Sequence, residues 1–197
     1  MKYFNELPKI IVTQDNVSRV FTNILARTSI IQSIIKNPLL FYSYDIQESD
    51  TPEIIAHKYY GDVNRFWIVM ISNQINDPQW DWPLTSSVFN QYLLSKYTEQ
   101  QLTQVHHYEK IIQTTDNVSR QTTTETIVID ETTYDNLDEN TTTYTLSSGT
   151  VTVQITKKII DNFNYELNLN ESKRNIKLLN IDYANQVEKE FMSLMSV

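Results

Sequence analysis

Glycine is nearly missing from this chain, and its scarcity narrows the possible folds and sites more than any other feature. The 197 residues contain only Gly61 and Gly149. Loops that cradle phosphate groups need several glycines, because their backbone turns with positive φ and approaches the ligand closely. We therefore expect no nucleotide-binding loop of that kind.

The charge balance is acidic and argues against nucleic acid as a partner. Sixteen Lys and Arg residues stand against 24 Asp and Glu residues, which gives a formal net charge of −8. Proteins that bind DNA or RNA neutralise phosphates with clustered cations. The densest basic stretch here is only Lys173-Arg174 with Lys177 nearby, so we predict no nucleic-acid partner.

Cysteine content and apolar runs limit the chemistry and the location. The chain has no cysteine, which excludes disulfides, thiolate zinc sites and a cysteine nucleophile. The longest apolar run, Phe66 to Ile71, is far shorter than the ~20 residues that span a bilayer. Met1 to Asn5 lacks the apolar segment of a signal peptide. We expect no membrane partner, and a protein made in a cytosol or packed into an assembly built there.

Residues 1–38 are predicted to form an extended and helical N-terminal arm. Asp15 can cap a helix, and apolar residues follow it at three- and four-residue spacing: Val17, Val20, Phe21, Ile24 and Leu25. The segment 28–36 fits a helix and a strand equally well. The pentapeptide Asp-Asn-Val-Ser-Arg at 15–19 recurs at 116–120, which we interpret as coincidence.

Residues 39–97 carry strong local signals for a strand followed by helices. β-favouring residues between Leu39 and Ile46 predict the strand. Asp50 or Thr51 can then cap a helix whose first turn has Pro52 and an acidic side chain, and Gly61 can end it in the left-handed conformation. A second, buried helix covers 66–71 because that stretch is apolar all round. Thr85-Ser86-Ser87 can cap a third helix that reaches Lys96.

The two remaining segments, 98–165 and 166–197, differ from each other in residue composition. Residues 98–165 are rich in threonine interleaved with β-branched residues, which predicts a β-rich insertion or small β domain, with Gly149 at a hairpin turn. Residues 166–197 predict an extended stretch and a final helix. Four apolar residues of that helix are spaced 3, 4 and 3 apart and form a seam for a partner helix or for the chain's own domain: Ala184, Val187, Phe191 and Leu194. With Trp80 and Trp82 they are the candidate partner-contact residues.

Residues suited to catalysis or metal binding do not combine into a motif. Gly61 and Asn64 offer no metal or acid–base partner on the face of His57, which favours a solvated or core-edge histidine. His106 and His107 are adjacent, so on a strand they would point to opposite faces and could not chelate one ion. Acidic residues such as Asp130 and Glu131 lie in a polar stretch without the calcium-loop pattern. We predict no catalytic, metal or cofactor-binding site and no small-molecule substrate.

Two sets of residues resemble known families. The first resembles a LysM module, with its strand, Asp-Thr helix start, Tyr-Gly stop, second helix and Asn: Tyr44-Asp45-Ile46, Ser49 to Ala56, Tyr59 to Asp62, Trp67-Ile68-Val69 and Asn73. The second resembles the LysM-like baseplate wedge subunit of contractile-tailed phages, the family called baseplate wedge protein 53: Asn73 to Pro78, Asp81-Trp82-Pro83-Leu84, Tyr92, Lys96-Tyr97, Asn170-Glu171, Lys173-Arg174, Ile176-Lys177 and Phe191-Met192. The resemblance covers roughly 20–97 and 165–195, and 104–165 shows none.

The resemblance implies an α+β fold, in which a LysM-like βααβ module has N- and C-terminal helical extensions and a β-rich insertion. It implies a structural, non-catalytic subunit that joins adjacent wedges of the sixfold tail baseplate around its hub. Its partners would be other wedge subunits, with six copies per baseplate assembled in the host cytoplasm and retained in the virion. A LysM-type peptidoglycan-binding module is the alternative. A hydrolase that uses Asp130, Glu131 or His107 is a third hypothesis.

Overall fold

The fold is α+β, as predicted, in a computed structural model that describes residues 3–26, 29–30 and 36–195. The chain divides into two compact units: unit 1 contains the described residues up to 86 and from 170 onward, and unit 2 contains residues 87–169. The undecided segment 28–36 lies largely outside the described residues. The four-part division of the chain at 38, 97 and 165 stays a prediction.

The elements follow one another along the chain with these bounds. Unit 1 contains β1 (Lys9–Gln14), β2 (Val17–Thr22), β3 (Phe41–Asp45), α1 (Pro52–Tyr60), α2 (Phe66–Ser72), α3 (Pro78–Asp81), β8 (Asn175–Leu179) and α8 (Ile181–Met195). Unit 2 contains α5 (Glu99–Leu102), β4 (Val105–Asp116), β5 (Thr122–Ile129), α6 (Glu131–Asn136), β6 (Asn140–Leu146) and β7 (Gly149–Asp161). The boundaries between the units fall within α4 (Ser86–Lys96) and α7 (Asn162–Glu171).

The N-terminal arm is a β-hairpin, so the helix predicted from Asp15 is wrong. β1 pairs with β2 in antiparallel register, and the two connecting residues, Asp15 and Asn16, have φ values of 51° and 60°. Asn and Asp tolerate this left-handed conformation, and two successive positive φ values suit the twist of a two-residue hairpin. The three- and four-residue spacing was misleading because valines and a phenylalanine also favour strands.

The local signals for the first helices are confirmed. The Thr51 side chain accepts a hydrogen bond from the Ile54 amide, Pro52 occupies the first turn of α1, and Gly61 ends the helix with φ of 72°. α2 is buried along most of its length, as its apolar sequence predicts. The predicted third helix is α4, which ends at Lys96.

The strand that pairs with β3 lies far along the chain. β3 and β8 form a two-stranded antiparallel sheet, with Phe41 opposite Leu179 and Asp45 opposite Asn175. β3, α1, α2 and β8 thus form a strand–helix–helix–strand arrangement whose last strand follows an insertion. The strand β8 lies outside residues 39–97, the range that the sequence assigns to the module and the helix after it. The chain turns away after α2, because Gln74 adopts φ of 58° and Pro78 begins α3.

Asn73 connects α2 to this distant strand. Its Nδ2 donates to the carbonyl oxygens of Val69 and Lys177, each at 2.8 Å. The Lys177 amide donates in return to Asn73 Oδ1 at 2.7 Å. The side-chain amide therefore satisfies both backbone groups of Lys177 much as a neighbouring strand would.

One apolar core holds unit 1 together. It combines buried residues from the segment before β1, from α1, α2, β8 and α8: Leu7, Ile46, Ile55, Ala56, Tyr60, Trp67, Ile68, Val69, Ile176, Leu178, Leu179, Ala184 and Phe191. Arg65, which precedes α2, fastens α8 through Glu188, with Nε to Oε1 at 3.2 Å and Nη2 to Oε2 at 2.9 Å. The C-terminal helix is thus packed on its own unit.

Unit 2 is built on a four-stranded antiparallel sheet of order β5-β4-β7-β6, which confirms the predicted β-rich insertion. The hairpin predicted around Gly149 joins β6 to β7, with Leu146 opposite Gly149 and φ of 141° at the glycine. The helix α7 has no predicted counterpart. Its asparagine-rich sequence is a poor helix former, but the Asp161 carboxylate accepts a hydrogen bond from the Asn164 amide and stabilises its first turn.

Both copies of Asp-Asn-Val-Ser-Arg lie where one strand turns into the next. The first supplies the two turn residues between β1 and β2. In the second, Asp116 accepts hydrogen bonds from the amides of Val118 and Ser119, and Arg120 has φ of 58°. The same peptide therefore serves two different turns, because short polar side chains satisfy turn amides locally.

Candidate functional site

The buried acidic side chains are held by fixed hydrogen-bond donors. Glu166 is the most deeply placed acid of unit 2: its Oε1 accepts from Lys96 Nζ at 2.6 Å and from Tyr97 OH at 2.9 Å. Burial by itself raises the pKa of Glu166, but the hydrogen bonds from Lys96 and Tyr97 outweigh it and the pKa is lowered. A carboxylate held ionised by fixed donors ties α4 to α7 and is a poor general acid.

Asp50 plays a comparable role in unit 1. Its carboxylate is buried and accepts from Tyr44 OH at 2.6 Å, from Lys58 Nζ at 2.6 Å and from the Gln47 amide at 3.1 Å. The hydrogen bond to Asp50, together with burial, raises the pKa of Tyr44 to about 12. Both groups stay in one protonation state near neutral pH, so this network fixes the segment between β3 and α1.

The two adjacent histidines do not point to opposite faces, and that prediction is wrong. The strand register shifts between Val105 and His107, and this irregularity breaks the side-chain alternation. The Nδ1 atoms of His106 and His107 lie 2.8 Å apart, and His106 stacks on Tyr165 with ring centroids separated by 3.8 Å. Across residues 3–26, 29–30 and 36–195, no three His, Asp or Glu residues gather in a way that could hold a metal ion.

The other candidate residues for chemistry have local structural partners. Asp130 accepts a hydrogen bond from the Thr133 amide at 2.9 Å and begins α6. Glu131 accepts from Tyr108 OH at 3.1 Å. His57 is exposed near the end of α1.

The two tryptophans proposed as partner contacts are placed differently. Trp80 is 61 % exposed. Trp82 packs against the core of unit 1, and its Nε1 donates to the Asp50 carbonyl at 3.0 Å. Trp80 is therefore available to a partner, whereas Trp82 holds the segment that presents it.

The apolar seam of α8 faces its own unit. Ala184 and Phe191 are buried, and Val187 packs against the same core. The Phe191 ring stacks on Tyr3 with centroids 5.0 Å apart and contacts Trp67 at the same separation. Leu194, by contrast, is 67 % exposed. The sequence left open whether the seam packs against a partner helix or against the chain's own domain. In the structure, Ala184, Val187 and Phe191 pack against the core of unit 1.

An open apolar groove runs beside this seam. It has a volume of about 350 Å³, and its lining includes Trp67 and Ile71 of α2 and Val187, Phe191 and Leu194 of α8. Trp67 Nε1 is buried and has no hydrogen-bond partner among the residues that the structure describes. The groove lacks converging charged groups, so it suits apolar contact better than chemistry.

Two exposed β surfaces could not be recognised from the sequence alone. The β1–β2 hairpin exposes six large apolar residues: Ile10, Ile11, Val12, Val17, Val20 and Phe21. The sheet of unit 2 contains one buried residue, Ile160, in its four strands. The sequence contains a signal for the hairpin itself, because the β-favouring run Ile10-Ile11-Val12 is followed by the turn-favouring pair Asp15-Asn16.

Comparison with known proteins identifies the class of this chain. None of the described helices is long and apolar enough to cross a membrane. No curated protein matches the chain. A family model described as base plate wedge protein 53 matches residues 9–194, including the 104–165 segment for which the sequence showed no resemblance. Because this match spans nearly the whole chain, the chain belongs to the base plate wedge protein 53 family and is a structural component of a phage tail baseplate that associates with other baseplate subunits.

Proposed function

We propose that this chain joins adjacent wedges of the tail baseplate around the hub and performs no catalysis. The observation that carries the proposal is that each of its two units exposes an apolar β surface, the hairpin in unit 1 and the sheet in unit 2. Large exposed apolar surfaces mark sites of protein association. A chain with one such surface on each unit is suited to hold two neighbours at once.

The environment of the acidic residues supports a role without catalysis. Asp50 and Glu166 are buried carboxylates whose oxygens accept hydrogen bonds from fixed donors. Catalytic acids and bases instead need a pKa near the working pH and access to a substrate. A purely structural role, with no cofactor and no small-molecule substrate, accounts for this arrangement.

The β3-α1-α2-β8 arrangement is proposed to be a LysM-like module that serves as a scaffold. Asn73 and the β3–β8 pairing close it, and the long insertion after α2 supplies unit 2. Within this proposal Trp80 and Leu194 contact partner subunits directly, since both are exposed. The surfaces that carry Trp80 and Leu194 are supported from within unit 1 by four residues: Trp82, Ala184, Val187 and Phe191.

The proposal places six copies in each baseplate, assembled in the host cytoplasm with the other wedge subunits. Ring assembly from repeated modest contacts is strong because each contact raises the effective concentration at the next. The alternative of LysM-type glycan binding predicts instead that the isolated chain is retained on purified peptidoglycan.

The proposal is tested by disrupting the gene in the phage and sedimenting the tail intermediates from infected cells. We expect single wedges to accumulate without joining, and the wild-type chain supplied in trans to restore complete baseplates. Complete baseplates without the chain would contradict the proposal. In parallel, the purified chain should stay in solution in a peptidoglycan pull-down, and its retention would favour the glycan-binding alternative.

A further inference from the structure

The sheet of unit 2 has one face on which apolar side chains are half-buried or exposed. Residues directly opposite in an antiparallel ladder share a face. The register places six apolar residues on this face, with Thr114, Thr142 and Asn140 among them: Ile112, Tyr144, Leu146, Val151, Val153 and Ile155. We call this set the apolar sheet face. Helix α6 reaches the Tyr108 end of the same face, where the rings of Tyr134 and Tyr108 lie 4.8 Å apart. At the other end, Tyr144 and Leu146 are each 53 % exposed.

The opposite face of that sheet has a different chemistry. A row of threonines crosses all four strands, with Thr143 opposite Thr152, Thr152 opposite Thr115, and Thr115 opposite Thr122. Hydroxyl groups link neighbours in this row at 3.1 and 3.3 Å. This threonine face is stable in water, whereas an apolar sheet face normally packs against a second layer.

The β1–β2 hairpin is an apolar layer that the described residues leave exposed. Its register places Ile10, Val12, Val17 and Phe21 on one side, which we call the apolar hairpin face. All twelve residues of its strands except Thr22 are exposed. An isolated two-stranded hairpin is only marginally stable in water.

The hairpin is nevertheless fixed at its base. Leu7, just before β1, is buried in the core of unit 1, and Tyr3 stacks on Phe191. The Asn23 amide donates to the Pro8 carbonyl at 2.8 Å and closes the two ends of the hairpin. The chain thus holds an apolar β arm in place and leaves its faces available.

One pair of charged residues on the two apolar faces is complementary. Arg19 lies opposite Val12 and shares the apolar hairpin face. Glu125 lies opposite Ile112 and shares the apolar sheet face. The same sheet face also carries Lys110 and Lys157 at the end that α6 reaches, where Lys157 Nζ donates to the Tyr134 carbonyl, and Asp116 opposite Val151 at the other end. Away from the lysines, Glu125 and Asp116 favour a cation over an anion on an approaching surface.

We propose that the apolar hairpin face of one copy packs on the apolar sheet face of a second copy, with Arg19 facing Glu125. The contact completes a two-layer β-sandwich between copies, in which sheets lie about 10 Å apart. Because it joins two different surfaces of the same chain, repetition generates a ring when the rotation closes. This inference rests on the proposed function and names the surfaces through which neighbouring copies meet.

Engineered disulfides test the contact directly, because the chain has no cysteine of its own. Full-length Val12→Cys protein is mixed with full-length Val153→Cys protein under mild oxidation. The matched control mixes Thr13→Cys with Thr152→Cys, which places the thiols on the opposite hairpin face and on the threonine face. We expect at least tenfold more covalent dimer from the first pair.

Three results would overturn the proposal. Equal yields from both pairs, or no dimer from either, would show that these faces do not meet specifically. A chain carrying both Val12→Cys and Val153→Cys that forms the bond within one molecule at high dilution would show that the hairpin covers its own sheet. Each of these results leaves the proposed function standing if the chain is still needed for wedge joining in infected cells.

A charge exchange provides a second, independent test. Arg19→Glu should weaken self-association at least tenfold in sedimentation at low salt, because it places two anions together. Arg19→Glu combined with Glu125→Arg should restore association to near the wild-type level. A double variant as weak as the single variant would overturn the pairing of these two faces.

Discussion

Asn73 offers the sharpest test of how the module in unit 1 is closed. Replacing Asn73 with Ala removes three hydrogen bonds, two donated to the carbonyls of Val69 and Lys177 and one accepted from the Lys177 amide. Two of these bonds, those with Lys177, connect residues 104 positions apart in the chain. The substitution should therefore loosen β8 from α2 without disturbing local helix signals.

The size of the effect follows from the exposure of the groups left behind. A typical hydrogen bond contributes a net ~1 kcal/mol, and a buried partner left unsatisfied costs more. Lys177 is exposed, so water can replace part of what is lost. We expect the free energy of unfolding of unit 1 to fall by about 2 kcal/mol.

Tryptophan fluorescence in a urea titration measures this change, because the three tryptophans, Trp67, Trp80 and Trp82, all lie in unit 1. Asn76→Ala is the matched control, since among the described residues its side chain makes a single exposed hydrogen bond, to the Gln74 carbonyl at 3.3 Å. A loss below about 0.5 kcal/mol for Asn73→Ala, equal to that expected of an ordinary surface substitution, would refute the proposed closure of the module.

Three further predictions concern other parts of the chain. Glu166→Gln should lower the stability of unit 2 by about 2 kcal/mol at neutral pH. Because the pKa of Glu166 is lowered in the folded state, the wild type loses this contribution as pH falls through that pKa. Circular-dichroism melts should therefore show a smaller loss of stability at acid pH in the variant than in the wild type. Gly149→Ala should destabilise the β6–β7 hairpin by about 2 kcal/mol in the same assay, because φ is 141° and a Cβ would overlap Val118 Cγ2; adding Val118→Ala should recover part of the loss. Trp80→Ala should change stability by less than about 0.5 kcal/mol yet reduce the amount of chain incorporated into purified tails, which quantitative mass spectrometry can measure.

Short-range signals in the sequence were sufficient for several elements. The cap at Thr51, the proline at the start of α1 and the left-handed Gly61 act within one helical turn, so they could be recognised without knowing the fold. The apolar α2 and the amphipathic α8 followed from their side-chain period. These signals predicted four of the eight α-helices in the part of the chain that the structure describes: α1, α2, α4 and α8.

Features that depend on distant residues could not be predicted in the same way. The strand that completes the β3 sheet follows residue 174 and pairs with β3 and with the Asn73 side chain. No local sequence pattern indicates this pairing. The hairpin at β1–β2 was mistaken for a helix, since its apolar residues fit both periods. The orientation of His106 and His107 depends on a register shift set by β7.

The candidate contact surfaces show the same division. Trp80 and Leu194 were identified as prominent apolar residues and are exposed. The seam residues Ala184 and Phe191 have a packing pattern that is identical for a partner helix and for the chain's own core, and only the fold distinguishes the two. The large apolar sheet face requires strand register, which sequence alone does not supply.

Cryo-electron microscopy of purified tail baseplates tests the central claim most directly, because it locates every copy of the chain among its neighbours. We expect six copies, each in contact with subunits of two adjacent wedges. Density for the chain on a single wedge, or on the hub alone, would contradict a wedge-joining role.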